Sequence, residues 1–558
     1  MKNKVAGILL VICIYSLSIY LGGCGEAVKE EVSVGAAPRQ LKPLTGSYIS
    51  ATYVMDWTDT TNATKYNIQI DNDSDFSSPA VNDSSLTSSN YTPTGLAAGQ
   101  YFWRVRAGNA ATWTGWSYTW EVVVGRSFGD INGDGYSDVI AGAPAYNGIG
   151  ADSGKAYIFM GGSPMNNAAD ATVAGTAGSD LLGTSVAIAG DVNGDGYADI
   201  VIGAYGASGG GKAYVFFGGT GFTGDKAATS ADLVISNPTA TAGSNFGFSV
   251  SSAGDVNGDG YDDIIIGAEN SGPTNNGCAY IYFGGSSMNN TPDITLDGEG
   301  SSDYFGHSVS QAGDVNGDGY SDIIIGAVQN SGARGKAYIF FGGPTFDTSP
   351  DIVYAGSNVG DWMGESVSTA GDVNADGYAD VVIGADGTDG GGPNQGAAYL
   401  LLGGASMDNI ADLTFAGSND NDYLGEAVSG AGDIDGDGYD DFIIGANGAG
   451  GGGTKKGQTF LFRGGSTLDN TADATITGGA DGDQLGKSLA FAGDVNGDGF
   501  SDIAIGAPYA EGSGIDNGKV YIFQGSGSFS GAKTPSDANV IFTGENGSDY
   551  FGYNSYTT

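Results

Sequence analysis

A nine-residue acidic loop recurs seven times along this chain, reading in its commonest form D-V-N-G-D-G-Y-x-D. Its start points are 61, 64, 59, 58, 61 and 61 residues apart, which marks a repeated structural unit. In every copy oxygen-bearing side chains fall at positions one, three, five and nine, while position six is Gly and position seven Tyr or Phe. That spacing suits a hard cation. Calcium takes roughly 6 to 8 oxygen ligands, and alternate carboxylates or amides, a turn-permitting Gly and the backbone carbonyl of position seven can wrap around it.

The candidate ligands are Asp130, Asn132, Asp134, Tyr136 and Asp138 in the first loop, and Asp191, Asn193, Asp195, Tyr197 and Asp199 in the second. Asp255, Asn257, Asp259, Tyr261 and Asp263 form the third set, and Asp314, Asn316, Asp318, Tyr320 and Asp322 the fourth. The fifth holds Asp372, Asn374, Asp376, Tyr378 and Asp380, with Ala375 at position four where the other copies have Gly. The sixth holds Asp433, Asp435, Asp437, Tyr439 and Asp441, and the seventh Asp494, Asn496, Asp498, Phe500 and Asp502. Asp435 stands where the other loops have Asn, so the sixth loop is expected to bind calcium most tightly. An EF-hand is excluded, because its twelfth position falls on Ala141 and Ile325. A plain Asx-Gly turn would not require the ninth-position Asp.

Between loops each unit carries short apolar or alternating runs, such as F-G-H-S-V, D-I-I-I-G-A, K-A-Y-I-F-F-G-G and D-I-V-Y-A-G, bounded by Gly, Asp, Asn and Ser. Four such strands per unit, repeated seven times, predict an all-β chain with a seven-bladed β-propeller, since one small sheet cannot bury both faces but a ring of them can. These units resemble FG-GAP repeats, the blades at the head of integrin α chains. Phe246-Gly247 and Phe305-Gly306 match the F-G element, and Gly142-Ala143-Pro144 and Gly506-Ala507-Pro508 the G-A-P element. The resemblance implies a propeller over residues 125–558, with about seven Ca2+ sites between the first two strands of each blade.

Lys plus Arg number 20 against 64 Asp plus Glu, a net charge of -44, which argues against nucleic acid as a partner. Much of that charge sits in the loops, so bound cations are expected to add to folding stability. At the N-terminus Lys2 and Lys4 precede an apolar run from Val5 to Tyr20, followed by Leu21-Gly22-Gly23-Cys24. Residues 1–24 thus resemble a bacterial lipoprotein signal, with Cys24 as the lipidation site, Gly25 pointing to the outer membrane, and export to the cell envelope or surface implied. Residues 25–44 read as a tether. Cys278 reads as a small buried residue in a strand.

Residues 45–124 lack the acidic loop and hold five of the six tryptophans. Their alternating runs suggest a small β-sandwich preceding the propeller. Trp57, Tyr66, the G-L-A-A-G-Q-Y-F-W-R-V-R-A segment and Trp116 resemble a fibronectin type III domain. Most of these aromatics are expected in the core, and Trp113 is the best candidate for an exposed carbohydrate platform.

The first unit lacks its own F-G-x-S-V strand, while the chain ends S-D-Y-F-G-Y-N-S-Y. The C-terminal segment is therefore expected to supply that strand and close the ring. His307 is the one histidine, and no nucleophile–base set or zinc cluster can be assembled around it, so an enzyme is not expected. A carboxylate-dependent glycoside hydrolase stays open as a minor alternative, since it needs only two acids. The leading expectation is a calcium-stabilised, lipid-anchored cell-surface adhesion protein that binds a protein or glycan. Its ligand face would be the one opposite the calcium loops, where the turns between second and third strands vary most and the longest link, Gly218 to Phe246, lies. A structural envelope component without a ligand is the alternative.

Overall fold

The computed structural model describes residues 34–553 apart from 43–46, 50–53, 98, 111, 125–128, 273, 391, 451–454 and 513–514. Strands form nine sheets, and the helical elements among the described residues are one four-residue α-helix, Asn330–Ala333, and two 3-10 turns. Seven of the sheets are blades. In the third, Phe246–Gly254, Asp263–Ala268, Cys278–Tyr282 and Ile294–Asp297 pair in that order, each antiparallel to the last. The acidic loop joins the first and second of these strands, as the repeat pattern predicts. First strands of successive blades lie against one another, so they form the inner wall.

The run D-I-I-I-G-A is apolar on both faces because each blade is packed between two others. Ile264 and Ile266 share a buried cluster with Val201 and Val215 of the second blade. Ile265, between them and pointing the other way, packs with Ile323 and Tyr338 of the fourth. Five further clusters of the same kind join the remaining neighbours, and one of them places Ala504 and Ile522 of the seventh blade against Val139 and Tyr157 of the first. Seven interfaces therefore run around the ring.

The F-G and G-A elements are two halves of one contact. Gly306 ends the conformationally demanding part of a tight turn at φ +83, and its carbonyl lies where a Cβ on Gly267 of the preceding blade would be, 2.1 Å away. At the C-terminus Gly552 repeats this. Its carbonyl would meet a Cβ on Gly506 at 2.2 Å, and its N–H donates to Gly142 O at 2.9 Å. The C-terminal F-G turn thus sits between the last blade and the first, with the Phe551 ring 5.2 Å from that of Tyr157. The expected strand beyond it would fall at 554–558, outside the described residues, and Val139–Ala143 is the edge strand of the first blade among those described.

The segment read as one long link, Gly218 to Phe246, holds two strands. Gly224–Ala227 adds in parallel to the outer edge of the first blade, and Leu233–Ser236 then forms the outer strand of the second. Gly531–Lys533 does the same for the sixth blade. Edge coverage of this kind needs only backbone hydrogen bonds, so no apolar pattern announces it.

The region before the propeller forms a three-stranded and a five-stranded sheet around Trp57, Trp103 and Trp120, all fully buried. Gln40–Lys42, within the segment expected to be a tether, is an edge strand of the smaller sheet, paired with Met55–Trp57. Trp113 is not a free platform: the Lys65 ammonium and Arg106 guanidinium lie 4.4 and 4.9 Å from its ring, and the ring packs on Gly108. The fibronectin type III likeness remains a resemblance of sequence.

Candidate metal loops

The fourth loop shows how each acidic turn is built. Asp314 accepts backbone N–H groups from Gly317 (2.6 Å), Asp318 (3.0 Å) and Gly319 (2.8 Å), so one carboxylate sets the curvature of the whole turn. Asn316 Oδ1 accepts from Asp318 N and Asp318 Oδ1 from Tyr320 N. Asp322, at position nine, accepts from Val315 N at 2.8 Å and from Gly342 N at 2.7 Å, tying the loop to the turn after the third strand. The ninth carboxylate therefore has a structural role that the sequence pattern did not reveal. It is fully buried in all seven loops.

Burial and mutual repulsion raise these carboxyls. Desolvation, reinforced by Asp255 and Asp259, pushes Asp263 up to about 9, and the corresponding causes hold Asp138, Asp199 and Asp441 near 8. In the sixth loop Asp433, Asp435 and Asp441 each bring an oxygen within 4.8 Å of the others. Converging hard oxygens that are poorly solvated as anions fit a divalent cation of the calcium type. The residues that would hold it are those of the sequence pattern, with side chains at positions one, three, five and nine and the carbonyl of position seven.

The aromatic at position seven clasps neighbouring blades. A Cβ on Gly258, position four of the third loop, would lie 2.4 Å from Tyr320 Cε1 of the fourth. Gly133 meets Tyr197 in the same way, and Gly497 of the last loop meets Tyr136 of the first. Ala375 takes φ 54 in the one loop whose fourth residue carries a side chain.

The β-sandwich lies on this face. Gln100 donates to Gly260 O at 2.8 Å, Arg39 to Asp376 O and Lys42 to Gly438 O, and the Arg39 guanidinium lies 4.3 Å from the Tyr378 ring centre. Thr119 O sits against Gly319. Loops three to six are therefore partly covered.

Comparison with known proteins agrees with this geometry. The FG-GAP repeat matches at residues 127–159, 182–216, 246–282, 305–340, 363–401, 424–462 and 485–523. The seven blades are FG-GAP repeats. Integrin alpha-5 of Xenopus laevis is 28% identical over 251 residues, 42% of this chain and 22% of its own length. Integrin alpha-IIb of Mus musculus is 35% identical over 170 residues, 28% of this chain and 16% of its own. The chain thus spans a minor part of these FG-GAP relatives. Among solved structures, exotype rhamnogalacturonan lyase YesX aligns over 92% of this chain and 85% of its own at 14% identity, with a TM-score of 0.34, too slight a likeness to bear on function.

At the other end of the inner strands, the residues after the F-G pairs and their Leu-Gly and Met-Gly equivalents are Thr184, Phe248, His307, Glu365, Glu426, Lys487 and Tyr553. His307, read from sequence as a satisfied strand residue, is satisfied by charge. Its Nδ1 is 2.7 Å from Glu269 Oε2 and its Nε2 3.5 Å from Glu365 Oε1, and these carboxylates outweigh burial to push the imidazole up to about 10. Cys278 is buried, with its thiol pushed up to about 11 by desolvation and Asp297. Cys24 and the signal segment lie outside the described residues. No helix among those described is long and apolar enough to cross a membrane.

Proposed function

We propose that this chain is a calcium-stabilised binding protein, exported and lipid-anchored through Cys24 at the cell envelope, that meets a protein or glycan on the propeller face opposite the acidic loops. The observation that carries the choice of face is the position of the β-sandwich, whose Gln100, Arg39 and Lys42 reach the turns of the third, fifth and sixth loops. A face already occupied by the chain's own domain is poorly placed for a large ligand. Kinship with integrin α chains supports an adhesive rather than an enzymatic role.

Calcium acts in this reading as a staple. Extracellular calcium modules commonly bind at about 10^-4 to 10^-3 M, so a constant external supply keeps them filled. Calorimetric scans with calcium and with chelator test this, the expected result being a lower melting temperature in chelator. Identical scans would remove calcium from the proposal. A pull-down and a glycan array with the purified mature chain test the ligand, and silence in both would favour a structural envelope component instead.

A further inference from the structure

The inner strands begin on the face that the β-sandwich leaves open, and their first side chains meet around the axis. Charged residues fill one arc. His307 bridges Glu269 and Glu365, and Lys487 pairs with Glu426 while also feeling Glu365 and Asp386. Aromatic rings fill the other arc. Tyr205 lies 5.5 Å from Phe248, Phe248 lies 5.2 Å from His307, and the Lys487 ammonium is 5.5 Å from the Tyr553 ring centre. The two arcs therefore join into one continuous surface.

One feature of this surface is not explained by packing. Asp386 is 4% exposed, yet its Oδ1 has no hydrogen-bond partner, although it lies in the field of Glu365, Lys487 and His307. A buried acceptor left open invites a ligand donor.

We propose that this axial mouth binds a sugar residue of a glycan. Its four acids, Glu269, Glu365, Glu426 and Asp386, face two cations, His307 and Lys487, so it offers no positive cluster for an anion. What remains is a close alternation of donors and acceptors beside aromatic faces. A pyranose presents the same pairing, with hydroxyls that both donate and accept and an apolar C–H face that lies against a ring. The proposal rests on the binding reading above for its choice of face, and it moves the contact from the variable loops to the axis.

The test uses the mature chain in calcium on an array of plant, bacterial and animal oligosaccharides, followed by calorimetry with the best array glycan. Asp386→Asn alters the open acceptor, and Phe248→Leu removes the ring beside His307 while keeping every charged residue; circular dichroism and melting temperature check that both fold. At least a tenfold loss of glycan affinity in a folded variant is expected. Unchanged affinity in both folded variants would overturn the axial site while leaving a glycan-binding protein. An arginine-rich peptide, run in parallel, that binds where no glycan does would overturn the sugar while keeping the face. Absence of any ligand, glycan or captured protein, would overturn both.

Discussion

Arg463 Nη1 lies 2.8 Å from Asp435 Oδ2, and these two residues set the sixth repeat apart from the other six. Asp435 replaces the Asn of the other loops, and Arg463 occupies the place of Met160, Phe217, Phe283, Phe341, Leu402 and Gln524. The carboxylate that would make this loop the tightest calcium site thus comes with its own counter-charge. The Arg463→Met variant is expected to raise calcium affinity at this loop by up to about tenfold, equivalent to about 1.4 kcal/mol. Titration calorimetry of the wild type and the variant reads it directly, and equal isotherms would show that the ion pair opens at no cost.

The clasp between acidic loops makes a second prediction. Gly258→Ala places a methyl on the Tyr320 ring at φ +76, and the combined overlap and backbone strain should cost about 1 to 3 kcal/mol. Pairing it with Tyr320→Leu should recover part of the loss if the ring is the obstacle. Thermal melts of the two single variants and the double variant decide between steric and purely backbone causes.

Ring closure rests on the last F-G turn. Phe551 is 1% exposed in the cluster that joins the seventh blade to the first, and Lys155 pairs with Glu545 at 2.7 Å across the same junction. Phe551→Ala should destabilise by about 3 to 5 kcal/mol, as other buried Phe truncations do. Deleting residues 546–558 should lower the melting temperature further and expand the particle in solution scattering. Unchanged compactness would show that the ring closes without this segment.

His307 makes stability depend on pH in a definite direction. Its folded value, about 10, exceeds the ordinary 6.5, so the folded state holds a proton the unfolded state has lost between these values. The stabilisation is complete below about pH 6.5, declines as pH rises, and is gone above about 10. With roughly 1.4 kcal/mol per unit, the swing is on the order of a few kcal/mol. Melts of wild type and His307→Asn across this range should converge toward pH 10, whereas parallel curves would remove the imidazolium.

The repeat, its strands and its acidic turns were legible because each is a local pattern: a fixed period, alternating apolar residues, and Asx and Gly at turn positions. The function of Tyr320 was not, because the glycine it covers belongs to a different blade. The open Oδ1 of Asp386 and the Glu269–His307–Glu365 bridge escaped for the same reason, since their partners come from separate repeats. Gly224–Ala227 reads as part of a link in the sequence because a parallel edge strand needs no apolar side chains. Trp113 reads as available in the sequence because Lys65 and Arg106, which lie over its ring, come from other strands.

The sandwich contacts have a consequence for how the molecule is made. Arg39 meets a carbonyl 337 residues away, and Lys42 one 396 residues away. A domain that leaves the ribosome early can find its seat only after the sixth blade has followed it, and only if the intervening blades have stacked in order. Until then the acidic turns of the third to sixth loops stand uncovered, open to whatever cations the surroundings supply. Docking of the sandwich therefore requires the third to sixth blades beneath it, and closure of the ring through Phe551 is a separate event.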